Sequence, residues 1–539
     1  MAEGPNLLYY GDNLDVLRQH VKDESVDLVY LDPPFNSSRD YNVLFADSTG
    51  EKSHAQIEAF TDSWHWDAVA QATYHHLVTE GPSALASAIG ALHEFVGRND
   101  VMAYLVMMAV RLQELYRVLK PTGSLYLHCD PTASHYLKIV LDTIFGPKNF
   151  RNEISWKRFS AKNDPHRFGR SHDVLLFYSR GEKFTWNAQY GPFEEDYVEE
   201  NYRYIEKETG RRYRRDNLTA NKPGGDVDYE WHGARPYKGR HWAYSRANMD
   251  TMLAEGRIEF RSTGMPVYKR YLDEQPGVPL QDIWTDIRLH SGSKERLGYA
   301  TQKPLALLER IVAASSNEGD LVLDPFCGCG TTIAAAEKLG RRWIGIDITN
   351  LAIALIEYRL KDMFPSAKYE VRGEPADLDG ARALALQNRY QFQWWALKLV
   401  KAKPVGEGKK GRDRGIDGLI HFIDDASDKP KTVIVQVKSG HVGPGMIRDL
   451  KGTVESQKAD MGLFITLEKA TSEMRIEAVQ AGYYHSDGWG EDYPKIQIAG
   501  IEELLAGYKP NLPPVHHTFK KAPKAEAAQP EPKKLPGVG

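Results

Sequence analysis

Short apolar runs alternate with longer amphipathic segments in the first part of the chain. The run SVDLVYLD at 25–32 predicts a buried strand. Residues 101–120 carry apolar side chains at helical spacing, and the breakers Pro121 and Gly123 predict the end of that helix. The segment GSLYLHCD at 123–130 then predicts the next strand. This alternation is typical of an α/β domain.

The pattern changes after residue 150. Periodicity weakens, and aromatic residues mix with basic ones, as in NYRYIEKETGRRYRRDN. Regular alternation returns in LVLDPFCGCGTTIAAAEKLGRRWIGIDI, which predicts that the first α/β unit is completed there. The end of the chain is rich in Pro, Lys, Ala and Glu and has too few large apolar residues to fold by itself.

These changes predict two folded α/β units, one of them interrupted by an insert. A length of 539 residues agrees with several domains. The expected parts, in chain order, are the N-terminal half of the first unit (1–150), the insert (151–290), the second half of that unit (291–375), a smaller α/β unit (380–508) and a disordered tail (509–539).

The composition is that of a soluble globular protein, with 42% hydrophobic and 26% charged residues. No apolar span approaches 20 residues, so we expect no membrane association. Three cysteines, Cys129, Cys327 and Cys329, cannot form a disulfide framework, which favours a reducing compartment such as a prokaryotic cytoplasm. The net charge of −4 does not exclude a nucleic-acid partner, because phosphate binding needs only a local basic face.

A strand, a glycine turn and a helix are predicted in LVLDPFCGCGTT, which brings backbone N–H groups close to a ligand. Gly328 and Gly330 allow that close approach, and Asp347 ends the next strand at the spacing of an acid that binds ribose hydroxyls. Ile333 stands where a dinucleotide fingerprint needs its third glycine, and Asp324 would repel a phosphate. S-adenosylmethionine fits these features best.

The simpler interpretation of DPFCGCG is a tight turn between a strand and a helix. Cys327 and Cys329 form a C-x-C pair with no second Cys or His pair nearby, which is a poor zinc site. We therefore expect both to be packed thiols.

The segment LDPPF, at the end of the first predicted strand, is suited to binding a methyl acceptor that carries an exocyclic amino group. Asp32 can accept one N–H of an adenine amino group and the carbonyl of Pro33 the other, which orients the nitrogen lone pair toward a methyl donor. The prolines Pro33 and Pro34 fix the backbone, and Phe35 offers a face for stacking the base. A base in a duplex must be flipped out to reach such a pocket. A Pro-rich turn after a strand is the alternative.

In chain order, the segments YYGDNLDVL, VDLVYLDPPFNSSRDYN, GSLYLHCDPTASHYLK, TQKP, LDPFCGCGTT and IGIDI resemble the β class of amino-methylating DNA methyltransferases. That class includes the modification subunits of type III restriction systems. The resemblance implies a Rossmann-like sheet, a target-recognition role for the insert at 151–290, and duplex DNA as substrate. It also implies that Asp12 contacts the adenine of the cofactor and that the rest of the cofactor site is lined by Asp324, Phe326, Gly328, Gly330, Thr331, Thr332 and Asp347.

Several functions remain open from the sequence. Asp at the first position of DPPF favours N6 of adenine over N4 of cytosine. RNA or protein glutamine methylation uses similar pockets, and a DNA-binding protein with a vestigial cofactor pocket is the non-enzymatic alternative. A homodimer and a separate restriction subunit are partners that the resemblance leaves open.

The C-terminal unit carries a second set of candidate residues. Asp417 follows a glycine-containing turn, and Gln436 and Lys438 lie two residues apart on one face of the predicted strand TVIVQVK. This pattern resembles the Mrr-like branch of the PD-(D/E)xK nucleases, which implies Mg²⁺ bound by Asp417. Gln393 stands where an acidic metal ligand is expected. A domain that only binds DNA, or an unrelated α/β domain, are the alternatives.

Overall fold

In the computed structural model, the chain folds into two compact units. One unit joins the residues up to 187 to those after 281, and the other spans 188–281. The described residues are 5–34, 65–158, 166, 168–221, 227–289, 293, 295–297, 299, 301–405, 415–422, 430–487 and 489–513.

The N-terminal half of the larger unit alternates strands and helices as predicted. The predicted helix over 101–120 begins after an Asn99 cap, whose side chain accepts from the Met102 amide, and Pro121 lies in the strand that follows. The elements are β1 (Asn6–Tyr10), α1 (Asn13–His20), β2 (Val26–Leu31), α2 (Ala68–Glu80), α3 (Ser83–Val96), α4 (Asp100–Val118), β3 (Leu119–Cys129), α5 (Ser134–Phe145), β4 (Phe150–Lys157) and β5 (His172–Ser179).

The smaller unit is built on a four-stranded sheet and a separate apolar cluster around Trp231 and Trp242. The expected insert began at 151, but β4 and β5 pair with strands of the larger unit, so the separate unit starts at 188. Its elements are β6 (Tyr190–Gly191), α6 (Glu195–Asn201), β7 (Tyr204–Ile205), β8 (Arg212–Asn217), β9 (Thr219–Ala220), β10 (His241–Trp242), α7 (Arg246–Ala254), β11 (Ile258–Phe260), β12 (Pro266–Tyr271) and β13 (Val278–Pro279).

The chain then completes the first sheet. The strand order is β14-β4-β5-β3-β2-β15-β16-β1-β17, and apolar cores cover both faces. The completing elements are β14 (Ile283–Trp284), α8 (Leu305–Ser315), β15 (Leu321–Asp324), α9 (Thr331–Lys338), β16 (Arg342–Asp347), α10 (Asn350–Met363) and β17 (Tyr369–Arg372). This mixed, largely parallel sheet confirms the expected Rossmann-like fold.

Four adjacent strands, β2, β15, β16 and β1, run parallel to one another. Their carboxyl ends therefore meet at one edge of the sheet. Asp32 follows β2, Asp324 and Asp347 end β15 and β16, and Asp12 lies two residues beyond β1. The fold thus gathers four acidic residues, separated by up to 335 positions in sequence, at a single edge.

The C-terminal domain has a five-stranded sheet of order β18-β19-β20-β21-β24. No helix in the described part of the chain is both long and apolar enough to cross a membrane. Most of the expected tail, 514–539, lies outside the described residues. The elements are α11 (Leu378–Gln387), α12 (Arg389–Leu399), β18 (Lys403–Pro404), β19 (Gly418–Phe422), β20 (Lys431–Lys438), α13 (Pro444–Ser456), β21 (Met461–Thr466), α14 (Ser472–Gln480), β22 (Tyr483–Ser486), β23 (Glu491–Pro494), β24 (Ile496–Gly500) and α15 (Ile501–Leu505).

Candidate active site

Asp32, the first residue of the DPP turn, forms an ion pair with Lys303. Both side chains are largely buried, and Lys303 comes from the TQKP segment just before α8. Pro33 is buried and Pro34 half-buried, whereas Phe35 lies outside the described residues. Sequence reasoning predicted no partner for Asp32, although Lys303 belongs to TQKP, one of the segments on which the resemblance rests.

Asp324 is a fully buried carboxyl group at the end of β15. Thr332 Oγ1 donates to its Oδ2 at 2.5 Å, and the Phe326 amide donates to its Oδ1 at 3.0 Å. Burial raises the pKa of Asp324 to about 7, and the hydrogen bonds from Thr332 and Phe326 only partly oppose that rise. Asp324 forms no ion pair with a described side chain, and a bound cation would offset the desolvation of its carboxylate.

Asp347 occupies the equivalent place on the neighbouring strand β16. Its Oδ2 accepts from the Gly328 amide at 2.9 Å, and its Oδ1 accepts from the amide and hydroxyl of Thr349 at 2.9 and 2.8 Å. Burial raises the pKa of Asp347 to about 6. These bonds fix the carboxylate against the glycine turn, where it faces the same edge of the sheet as Asp324.

The glycine turn before α9 needs its glycines. Gly330 has φ +73°, and a Cβ there would lie 2.7 Å from the Ile356 side chain. Gly328 has φ +49° and packs under the ring of Tyr299. Thr331 Oγ1 donates to the Lys303 carbonyl at 3.3 Å, which ties the turn to the segment that pairs with Asp32.

Asp12 lies at the next strand end and is held on two sides. Its carboxylate caps α1 through the Leu14 amide at 2.7 Å, and Arg111 donates to both carboxylate oxygens at 2.8 and 3.0 Å. Arg111 Nε also donates to Asn13 Oδ1 at 2.6 Å, and Asn13 Nδ2 donates to the Pro325 carbonyl at 2.7 Å. Asp12 is therefore fixed next to the β15 turn, and the sequence missed Arg111 as its partner.

A buried polar chain runs behind the DPP turn. The Tyr30 hydroxyl lies 2.8 Å from His128 Nδ1, His128 Nε2 lies 3.0 Å from Asp173 Oδ2, and Arg158 donates to Asp173 Oδ1 at 2.9 Å. Burial alone would raise the pKa of Asp173, but His128 and Arg158 outweigh it and lower the pKa to about 2. Tyr30 lies in β2, two residues before Asp32, so these hydrogen bonds anchor the strand that leads into the DPP turn. His128 belongs to the segment GSLYLHCD, but its partners lie on other strands.

Comparison with known proteins bears directly on this site. The family model described as DNA methylase, of the N6 and N4 type, matches residues 26–357, which is more than half of the chain. The chain belongs to this family.

The methylase is also similar in sequence to several curated proteins. It is 31% identical over 349 residues to the type II methyltransferase M.EcaI of Enterobacter cloacae, across 64% of this chain and 66% of that protein. It is 27% identical to the Mod subunit of the type III restriction-modification enzyme StyLTI of Salmonella typhimurium, across 62% of this chain and 50% of the Mod subunit. Over 110 residues it is 39% identical to the DNA adenine methyltransferase YhdJ of Escherichia coli, across 19% of this chain and 35% of that protein. The chain thus spans about half to two thirds of the length of the first two relatives.

In the C-terminal domain of the methylase, the Asp417 carboxylate accepts hydrogen bonds from other residues of the same domain. Gln393 Nε2 donates to its Oδ1 at 2.9 Å, and the Val437 amide donates to its Oδ2 at 2.6 Å. Gln436 is buried and donates to the Gly415 carbonyl, while Lys438 ends β20. No group of three or more His, Cys, Asp or Glu among the described residues is arranged to hold a metal ion.

Cys327 and Cys329, in the glycine turn before α9, are buried free thiols.

Residues 392–506 match a family model described as NACHT-associated inactive restriction endonuclease 1. The C-terminal domain is therefore restriction-endonuclease-like, as expected. The finer expectation, an active Mrr-like nuclease, is not what this description names.

The arginines of the smaller unit are largely paired within it. Arg211, just before β8, donates to Asp273 and Glu274, and Arg215 of β8 pairs with Glu259 of β11. These residues come from GRRYRRDN, the segment that suggested phosphate contacts. Its charge is mostly compensated inside the unit, a pairing that only the tertiary structure reveals.

Proposed function

We propose that this methylase transfers a methyl group from S-adenosylmethionine to N6 of an adenine flipped out of duplex DNA. The observation that carries the proposal is the position of Asp32 beside the strand ends that present Asp324 and Asp347. A candidate acceptor-binding residue and the candidate cofactor-binding residues thus share one edge of the sheet. The family match and the named activities of M.EcaI and YhdJ support the same chemistry.

The residues at the strand ends fit S-adenosylmethionine by their chemistry. Two buried carboxyl groups with raised pKa values suit a cationic ligand that also carries hydroxyl groups. The turn at Gly328 and Gly330 leads into the N-terminus of α9, where backbone N–H groups can approach a ligand. We propose that Asp324 faces the cationic amino-acid part, that Asp347 accepts from the ribose, and that Asp12 lies near the adenine.

The acceptor side depends on the DPP turn. The Asp32 carboxylate accepts one N–H of the adenine amino group and the Pro33 carbonyl accepts the other, which turns the nitrogen lone pair toward the cofactor. Lys303 keeps Asp32 at the mouth of the site through their ion pair. When bound, S-adenosylmethionine supplies the electrophilic methyl group.

The direct test measures transfer of a labelled methyl group. Purified full-length protein is incubated with tritiated S-adenosylmethionine and duplex DNA of mixed sequence, and the digested nucleosides are separated. We expect the label in N6-methyladenine. Label in N4-methylcytosine would favour the alternative base, and label only in RNA or protein, or in none of the substrates, would contradict the proposal.

Cofactor affinity is expected to rise with pH. Asp324 and Asp347 have raised pKa values, so in the unliganded protein they hold protons up to about pH 7 and 6 that the cationic cofactor must displace. Their contribution to the stability of the unliganded protein is present below pH 4 and is lost as the pH rises through 6 and 7. Calorimetric titration between pH 5.5 and 8 should show affinity rising by up to about tenfold per pH unit between 6 and 7, where one proton is displaced, and more steeply below 6, where two are displaced, with proton release on binding. An affinity that does not change with pH would contradict this.

We further propose that the unit at 188–281 recognises the DNA sequence. Arg211 already donates hydrogen bonds to Asp273 and Glu274 within the unit. We therefore expect exposed basic residues such as Lys238 to contact the DNA phosphates. Lys238→Ala is expected to reduce the salt slope of DNA binding by about one, whereas Arg211→Ala leaves the slope unchanged and destabilises the unit. Fluorescence anisotropy from 50 to 300 mM salt measures both. The proposal fails if the two variants change the slope equally.

We propose that the C-terminal domain binds DNA and does not cleave it with Mg²⁺. Both oxygens of Asp417 already accept hydrogen bonds from neutral donors, so the carboxylate acts as a brace between α12 and β20. Asp417→Ala should lower the stability of the domain by about 1 to 2 kcal/mol, because two partly buried N–H donors lose their acceptor. Neither protein should cut unmethylated DNA with Mg²⁺. Cleavage by wild type that is lost in Asp417→Ala would restore the nuclease assignment.

A further inference from the structure

The C-terminal domain shares an apolar core with the cofactor half of the methylase. Leu351 and Leu355 of α10 lie in one buried cluster with Phe392 and Trp395 of α12. Tyr10, which ends β1 just before Gly11 and Asp12, packs against the same cluster. The two domains are therefore not joined by a free linker at this point: the core of one touches the helix that follows Asp347.

Two hydrogen bonds join the domains at the start of α10. The Asn350 amide donates to Gln391 Oε1 at 3.1 Å, and Asn350 Nδ2 donates to the Gln391 carbonyl at 3.3 Å. Both residues are buried. The amide of the first residue of a helix has no acceptor within its own helix, so Gln391 supplies from another domain the acceptor that this helix end lacks.

The same turn fixes the cofactor carboxylate. Thr349 caps α10 and donates twice to Asp347 Oδ1, while Gly328 donates to its Oδ2. Asn350, which is hydrogen-bonded to Gln391, directly follows Thr349, which is hydrogen-bonded to Asp347, so the two sets of hydrogen bonds are linked by a single peptide bond. A shift of Asn350 would be transmitted to Asp347 within three residues of chain.

An ion-pair network reinforces this contact from the other end of α12. Lys398 lies 2.6 Å from Glu357 of α10 and 2.6 Å from Glu374, which follows β17. Burial raises the pKa of Glu374, and Lys398 opposes that rise. The helix α12 is thereby held against α10 at both of its ends, which makes it a rigid support.

We propose that Gln391 is a positioning residue for the cofactor site, through which the restriction-endonuclease-like domain holds the Asp347 turn in its binding conformation. The domain then contributes to methyl transfer without contacting DNA or cofactor at this point. The proposal rests on the assignment of the Asp347 turn to S-adenosylmethionine.

The test compares Gln391→Ala with Gln393→Ala in the full-length protein. Gln393 lies one residue beyond Phe392 on the same helix, but its amide donates to Asp417 within the C-terminal domain, so it is a matched control for general loosening. Calorimetric titration with S-adenosylmethionine should show affinity about fivefold to thirtyfold weaker for Gln391→Ala and within twofold of wild type for Gln393→Ala. Steady-state kinetics should show a raised KM for S-adenosylmethionine with unchanged kcat and unchanged KM for DNA.

Equal weakening by both variants, or unchanged affinity in Gln391→Ala, would overturn the proposal. If Gln391→Ala does not fold, Asn350→Ala removes the partner side chain and leaves Thr349 as the cap of α10; it should weaken binding in the same direction, and unchanged affinity would overturn the proposal equally. Wild-type protein that binds no S-adenosylmethionine would overturn the proposed function and this inference together. Normal binding by wild type with no effect of Gln391→Ala or Asn350→Ala would overturn this inference alone.

Discussion

Replacing Asp32 with alanine is expected to lower the rate of methyl transfer by about 10³-fold while leaving the affinity for S-adenosylmethionine within twofold of wild type. The carboxylate would be the acceptor that orients the amino nitrogen of adenine, and its loss leaves only the Pro33 carbonyl. Asp324 and Asp347, the residues proposed to bind the cofactor, lie on other strands and keep their own hydrogen bonds. Single-turnover transfer from labelled cofactor gives the rate, and calorimetry gives the affinity.

Asp130 provides the control for this experiment. It follows β3, the strand next to β2, and its carboxylate accepts from the amides of Thr132 and Ala133 at 3.1 and 3.0 Å. Asp130→Ala removes a carboxylate from the neighbouring strand end and should change the rate by less than about tenfold. Asp32→Ala retaining a rate within tenfold of wild type would show that the DPP turn is not the acceptor site.

The strand ends of the methylase could be predicted because local sequence encodes them. An apolar run that stops at an acid, as in SVDLVYLD and LVLDPF, gives both the strand and its functional end. Gly328 and Gly330 likewise predict the turn, because their positive φ angles are ones that glycine adopts most readily. Strand order then follows from the parallel α/β pattern, and the acids gather at one edge.

The partners of these acids could not be predicted, since they are set by contacts across the fold. Lys303 is 271 residues from Asp32, and Arg111 is 99 residues from Asp12. The same holds for the arginines of GRRYRRDN, which looked like phosphate ligands until Asp273 and Glu274 were found beside them. A single sequence shows that charges exist, and only the tertiary structure shows which of them are already compensated.

Contacts across the domain boundary near residue 380 could not be predicted from the sequence. Composition and periodicity marked a second α/β unit correctly, but they describe each segment separately. They cannot show that Gln391 supplies the acceptor for the first amide of α10, because that contact depends on how α12 packs on α10. Independence in sequence pattern therefore did not imply independence in structure.

Replacing Asp173 with alanine is expected to lower the free energy of unfolding by about 3 to 5 kcal/mol. The change leaves His128 and Arg158 without their common acceptor, and His128 is fully buried. Tyr30→Phe removes only the hydrogen bond between the Tyr30 hydroxyl and His128 and should lower the free energy of unfolding by about 1 kcal/mol. Urea denaturation of full-length protein at pH 7 measures both changes.

Asp286 supplies the comparison with an exposed ion pair. It pairs with Arg310, but 58% of its side chain is exposed, so Asp286→Ala should cost less than about 1 kcal/mol. A similar loss in Asp173→Ala and Asp286→Ala would mean that burial of the Asp173 network contributes nothing to its strength.

The pH dependence of the Asp173 effect distinguishes a charge network from simple packing. Because His128 and Arg158 lower its pKa to about 2, Asp173 contributes stability that is present above pH 4 and is lost as the pH falls from 4 to 2. The stability difference between wild type and Asp173→Asn should therefore narrow by about 2 kcal/mol over that interval. A difference that stays constant with pH would show that the carboxylate acts by shape alone. Since Tyr30 lies in β2, which Asp32 directly follows, a network that depends on charge also makes the position of Asp32 sensitive to the charge of Asp173.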